Sequence, residues 1–268
     1  MAGAPRQRVL LDVRDAEQYR LGHVEGSFSQ PWCTIIRDAS ALPPRHVDLC
    51  LITDIPCAER GEMWRYFTQM CYSGLSIVSA ADMDCTSRCV PDGFCWRPNP
   101  FLARHVTTLP PGLALDVGCG AGRDLAYLAA RGWAVVGFDN RKPLADRSRD
   151  FCTRHGTAAR VGVCVADARW RLPFRTAAFD LIHVCRFLHR PLLPTLATLL
   201  RAGGLLLYSH FLEGCERTAR GYPRKDSGFF RAGELEDTLL QHSFTLLCAE
   251  TDQLEDGRPM IHVLARRT

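Results

Sequence analysis

No apolar run in this 268-residue chain approaches the roughly 18 residues that a membrane-spanning helix needs, and the first twenty residues carry only Val9-Leu10-Leu11. Neither a membrane partner nor a secretory leader is therefore expected, and cytoplasm is the expected compartment. Lysine is nearly absent, Lys142 and Lys225 being the only two. There is no run of like charge and no basic patch interleaved with aromatics. A formal charge of +4 thus carries no nucleic-acid signal, and no nucleic-acid partner is expected. Internal repeats and low-complexity tracts are also missing. Cysteine is plentiful at thirteen, yet several (Cys50, Cys164, Cys185, Cys248) fall in apolar runs that read as core strands. Reduced thiols acting as small hydrophobes are expected there rather than a disulfide framework.

At 47% hydrophobic, the chain can bury one large core or a large and a small one. Its organisation favours the second. A first domain is expected over residues 1–84, a Cys/Pro/Gly-rich linker over 85–95 (Cys85-Thr-Ser-Arg-Cys-Val-Pro-Asp-Gly-Phe-Cys95), and a second domain over 96–268. In the second, apolar strand-like runs alternate with helical patterns, the mark of an α/β fold with a mostly parallel sheet covered on both faces. Strands are predicted at Leu113–Val117, Ala134–Phe138, Val161–Ala166, Phe179–Cys185 and Leu205–Phe211. Helices are predicted at about Arg123–Arg131, ending on Gly132, and at Gly233–Gln241. A closing pair of strands follows at Phe244–Glu250 and Met260–Ala265.

The stretch Leu113-Ala-Leu-Asp-Val-Gly-Cys-Gly-Ala-Gly122 runs from a strand into alternating glycines before a helix. A dinucleotide fingerprint read from Gly118 needs glycine at 123, where Arg123 stands. The remaining pattern, Asp116-x-Gly118-x-Gly120-x-Gly122, resembles the first motif of class I S-adenosylmethionine (SAM)-dependent methyltransferases. That resemblance implies a Rossmann-like domain with a seven-stranded, mostly parallel sheet and SAM as cofactor. The glycines are then expected to let the backbone pass close to the methionine moiety.

Ligands of open α/β sheets bind beyond the carboxyl ends of the strands, where Asp116, Asp139 and Asp167 fall in succession. The resemblance implies that Asp139 accepts both ribose hydroxyls, that Asp167 meets the adenine amino group, and that Asp116 lies beside the sulfonium and amine or fixes the loop. Cys185, ending the fourth strand, completes the expected cofactor set with Gly118, Gly120 and Gly122. Trp96-Arg-Pro-Asn-Pro-Phe-Leu, Gly120-Ala-Gly-Arg-Asp124, Arg186-Phe-Leu-His-Arg-Pro191 and Gly257-Arg-Pro259 are similar to a tellurite-resistance-type subgroup, whose acceptors are small, soft nucleophiles or unassigned.

A sulfonium already carries a good leaving group, so methyl transfer mainly requires positioning, desolvation and sometimes a base. The loop after the fourth strand normally borders the methyl group in this fold. His189 is the candidate base or acceptor contact, and Arg186 or Arg190 would orient an anionic acceptor. His183 is expected in the core. His210 and Tyr208 are further candidates for the pocket border. The acceptor is expected to be a small molecule, and the oligomeric state is not legible.

Val9-Leu-Leu-Asp-Val-Arg-Asp-Ala-Glu-Gln-Tyr19 and Gly22-His-Val-Glu-Gly-Ser27 resemble the opening signature of rhodanese domains. A rhodanese carries its persulfide on a cysteine just after a central strand. The strand here is expected at Asp48–Thr53, and Asp54 stands where that cysteine belongs. Cys57 lies three residues on, behind Pro56 and ahead of a helix expected to bury Trp64, Phe67, Met70 and Cys71. A degenerate rhodanese-like module for packing or docking is expected. The alternatives are sulfur transfer through Cys57 or a non-catalytic SAM-fold binding module. Cys71, Cys85, Cys89 and Cys95 lack the paired spacing of a zinc ribbon, and no metal site is expected.

Overall fold

The computed structural model describes residues 6–36, 39–89, 91 and 93–268. Residues 1–5, 37 and 38 of the expected first domain, and Val90 and Asp92 of the expected linker, lie outside them. The chain divides into two compact units, Met1–Arg97 and Pro98–Thr268. The division falls after the expected linker, because that stretch is tied into the first unit by the bridge between His23 and Ser87.

The first unit is built from β1 (Arg8–Asp12), α1 (Ala16–Leu21), β2 (Phe28–Ser29), α2 (Trp32–Ile35), β3 (Asp48–Thr53), α3 (Gly61–Gln69) and β4 (Gly74–Ser79). Its four strands form a parallel sheet in the order β2-β1-β3-β4. The central β3 is buried along nearly its whole length, as an unbroken apolar strand should be when both faces are covered. On α3 the buried residues are Met63 and Phe67, four apart, with Met70 half-buried just beyond. This corrects the expected helix face. Trp64 is 50% exposed because it sits a step around the helix from the stripe that faces the sheet, and Cys71 is exposed beyond the end of α3.

The second unit runs α4 (Pro100–Val106), β5 (Leu113–Val117), α5 (Arg123–Ala130), β6 (Ala134–Asp139), α6 (Lys142–Arg154), β7 (Val161–Val165), β8 (Phe179–Cys185), α7 (Leu193–Leu199), β9 (Leu200–Phe211), α8 (Glu234–Gln241), β10 (Phe244–Gln253) and β11 (Pro259–Arg267). Seven strands form one sheet in the order β10-β11-β9-β8-β5-β6-β7. The five from β9 to β7 are parallel, and β11 runs antiparallel to both neighbours. This is the expected α/β Rossmann-like methyltransferase architecture. Strand β9 starts earlier than expected, at Leu200, taking in Gly203 and Gly204. The chain reverses between β8 and β5 in strand order, so the switch point lies at their carboxyl ends, above Cys185 and Val117. Leu115, Val117, Ile182, Leu196, Leu206 and Val263 anchor the apolar core around the sheet.

Candidate active site

Beyond the carboxyl ends of β5, β6 and β7 lies a cleft of about 250 Å³. Gly118, Gly120, Asp139, Asp167 and Arg186 all line it, together with Phe138, Asn140, Arg141, Leu144, Ala166, Ala168 and Phe187. A larger hollow of about 420 Å³ sits at the opposite end of the sheet, around Gly112, Asp180 and Arg201. There Asp180 is already engaged by Arg201 at 2.7 Å and by the Leu113 N–H at 2.7 Å. Those are the amino ends of the strands, and in open parallel sheets ligands sit at the other end.

The three glycines answer to different demands. All have positive φ, at 67°, 56° and 89° for Gly118, Gly120 and Gly122. A Cβ on Gly118 would lie 2.6 Å from the Phe187 ring, and one on Gly122 would lie 2.9 Å from the Ser148 Cα on α6. These two therefore serve protein packing first. Only at Gly120 is the space open, with nothing nearer than 3.9 Å. Gly118 and Gly120 line the cleft and Gly122 does not.

Asp139 ends β6 with its two oxygens divided. Oδ1 accepts the Arg141 N–H at 2.9 Å and Oδ2 accepts the Gly120 N–H at 3.3 Å. A carboxylate offers about four lone-pair sites, so accepting capacity remains. Asp167 is chelated by Arg169, whose guanidinium and backbone N–H reach it at 2.6–3.1 Å. Those bonds hold its carboxyl down at about 2, with His189 close enough to contribute.

Asp116 stands apart from the cleft. It is 3% exposed, and its Oδ1 bonds His183 Nδ1 at 2.9 Å. Burial raises the Asp116 carboxyl against the pull of His183. Burial is the largest influence on His183 and lowers it, but the Asp116 bond and the negative charges of Asp116 and Asp124 together outweigh it and the ring is raised. Asp116, expected beside the sulfonium and amine or fixing the loop, is engaged in a cross-strand pair, since Asp116 and His183 are register partners on β5 and β8. Cys185 also lies off the cleft lining. Asn99 Nδ2 donates to its sulfur at 3.1 Å, and burial pushes the thiol up to about 12.

Among the acceptor candidates, Arg186 alone lines the cleft. It is exposed and holds φ at 54°, an uncommon conformation for a non-glycine residue and one that directs attention to function. His189 opens the 3-10 turn Arg190–Leu192. Arg190, expected to orient an acceptor, is instead paired with Glu234 on α8 and donates to the Phe229 carbonyl at 2.7 Å. Tyr208 and His210 are buried, bonded to the Phe187 carbonyl at 2.7 Å and the Gly228 carbonyl at 3.1 Å. Sequence reasoning passed over Asn140, Arg141 and Phe187. Their signal was position alone, directly after Asp139 and Arg186.

Residues 114–204 match the family model described as a methyltransferase domain. The chain is 25% identical, over 319 residues, to an uncharacterized protein of Schizosaccharomyces pombe, a match that spans 96% of this chain and 93% of the yeast protein. It is 35% identical over 117 residues to trans-aconitate 2-methyltransferase of Methylobacterium radiotolerans, covering 41% of this chain and 42% of that one. Among solved structures, a SAM-dependent methyltransferase of Methanosarcina mazei superposes with a TM-score of 0.55 at 18% identity, over 63% of this chain and 98% of that one, an agreement of fold.

Residues 114–204 thus match a methyltransferase domain, and the fold around them is that of SAM-dependent methyltransferases.

Proposed function

We propose that this enzyme moves the methyl group of SAM to a small-molecule acceptor. The observation that carries the reading is the convergence of Gly120, Asp139, Asp167 and Arg186 on one cleft at the carboxyl ends of adjacent strands. The residues present suit the cofactor. Asp139 retains lone pairs for ribose hydroxyls, Asp167 lines the same cleft for the adenine amino group, and the backbone at Gly120 is open to close approach. When bound, SAM supplies an activated methyl on a sulfonium that leaves as a neutral thioether. The chain's own contribution is positioning: Arg186 orients an anionic acceptor, and His189, in the same loop, is the candidate for taking a proton from it. The relative named for trans-aconitate supports a small acceptor. The similarity to the tellurite-resistance-type subgroup favours a soft one.

The first unit is read as a degenerate rhodanese-like module for packing or docking, within an enzyme of the cytoplasm. Its signature residues serve its own fold. Arg14 forks onto the buried Asp12 at 2.7–3.2 Å, and His23 stacks on Tyr19 at 3.8 Å. Cys57 is exposed in a 3-10 turn behind Pro56, three residues past Asp54, away from the position a persulfide cysteine takes after the strand. Incubating the full chain with methyl-labelled SAM and a metabolite extract tests the acceptor class. Label in a low-mass compound supports the reading; label appearing in protein or RNA alone overturns it.

A further inference from the structure

Beside the cleft, and not part of it, three potential metal ligands from two elements meet. A carboxylate oxygen of Asp124 on α5, a ring nitrogen of His183 on β8 and the sulfur of Cys185 at the end of β8 lie within 4.8 Å of one another. His183 is 1% exposed. Its Nδ1 is taken by Asp116, and its Nε2 is buried with no hydrogen-bond partner among the described residues. Leaving such a nitrogen unmatched is costly, so the arrangement calls for a partner.

The surroundings of all three ligands are those of a prepared site. A metal-binding histidine characteristically gives its other nitrogen to a carboxylate, which fixes the tautomer and leaves the second lone pair directed at the ion. Asp116 does this for His183. Asn99, the cap of α4, serves the other two. Its side-chain amide donates to the Cys185 sulfur at 3.1 Å and its backbone N–H donates to Asp124 Oδ1 at 3.0 Å. Asn99 is in turn fixed by the Leu102 N–H on its Oδ1 at 2.9 Å. Each ligand therefore has an outer partner with a defined hydrogen bond.

We propose that Asp124, His183 and Cys185 bind one divalent transition-metal ion of the zinc class, with Asp116 and Asn99 orienting the ligands. One sulfur, one imidazole and one carboxylate make a borderline-soft donor set that suits zinc or cobalt and disfavours magnesium or calcium. Three protein ligands leave a fourth position for water or a small molecule. Binding converts the Cys185 thiol to a metal-bound thiolate and releases one proton to solvent. The proposal stands independently of the acceptor reading, since none of the three ligands lines the cleft.

The full chain, stripped with chelator and titrated with Co²⁺, tests this directly. One equivalent should produce the strong visible bands of a tetrahedral site together with a thiolate-to-cobalt charge-transfer band, and Zn²⁺ should erase both. Cys185→Ser, nearly isosteric, should abolish the charge-transfer band and weaken binding at least about tenfold. Asp116→Asn should weaken binding about 10- to 100-fold while keeping that band. Absence of bands in the unmodified protein at excess Co²⁺ overturns the proposal. So does a charge-transfer band that persists unchanged in Cys185→Ser with far-ultraviolet circular dichroism intact, because exposed cysteines would then be the ligands.

Discussion

The Gly120 N–H donates to Asp139 Oδ2 at 3.3 Å, tying the glycine turn after β5 to the end of β6. One carboxylate thus shapes the loop and faces the cleft. Asp139→Ala should lower SAM affinity about 10- to 100-fold, the scale of losing hydrogen bonds to a charged group. Isothermal titration calorimetry on the purified chain measures it, and an unchanged Kd would remove Asp139 from the site.

Gly120 and Gly122 should separate binding from stability. Gly122→Ala combines a φ of 89° with a Cβ 2.9 Å from the Ser148 backbone, a loss of about 2–4 kcal/mol in urea unfolding. Gly120→Ala has open space and carries only the left-handed strain of about 1–2 kcal/mol. The new methyl at 120 should nevertheless weaken SAM binding more than proportionately to that loss, because it points into space that the cofactor is read to use.

Arg190 and Arg186 should behave oppositely. Arg190→Ala removes a partly exposed pair with Glu234, worth about 1 kcal/mol, and should lower Tm by about 2–4 °C while SAM affinity stays within twofold. Arg186→Ala should leave Tm within that margin and raise the KM for an anionic acceptor. Thermal melts and initial rates with the acceptor identified by labelling check both.

His210 gives the fold a pH dependence. Burial holds its ring down at about 4, with Arg186 and Arg190 adding to the effect, while the bond to the Gly228 carbonyl opposes it. A histidine that titrates lower in the folded than in the unfolded state leaves the unfolded chain binding the extra proton. Stability should therefore be full above about pH 6.5 and fall as pH drops towards 4, by up to about 3 kcal/mol. Urea midpoints from pH 7 to pH 4.5 should show this slope, and His210→Gln should flatten it.

The strands and the acid at the end of each were legible because central parallel strands are continuous apolar runs, and Asp139 and Asp167 follow them directly. The fate of Asp116 was not. Its partner His183 is opposite it only in the register of β5 against β8, which no local pattern encodes. The same holds for Gly122 against Ser148, and for Arg190 against Glu234, contacts set by packing between elements far apart in sequence. In the first unit Trp64 stands one position past the Met63–Phe67 stripe of α3, so helical phase and not aromatic bulk decides which side chain is buried.

The most direct measurement is a crystal structure of the full chain with S-adenosylhomocysteine. The account predicts the ribose hydroxyls on the Asp139 carboxylate, the adenine on the Asp167 side of the cleft, and the homocysteine sulfur between Gly120 and Arg186. A nucleoside bound elsewhere, for example in the hollow around Gly112 and Arg201, would contradict it.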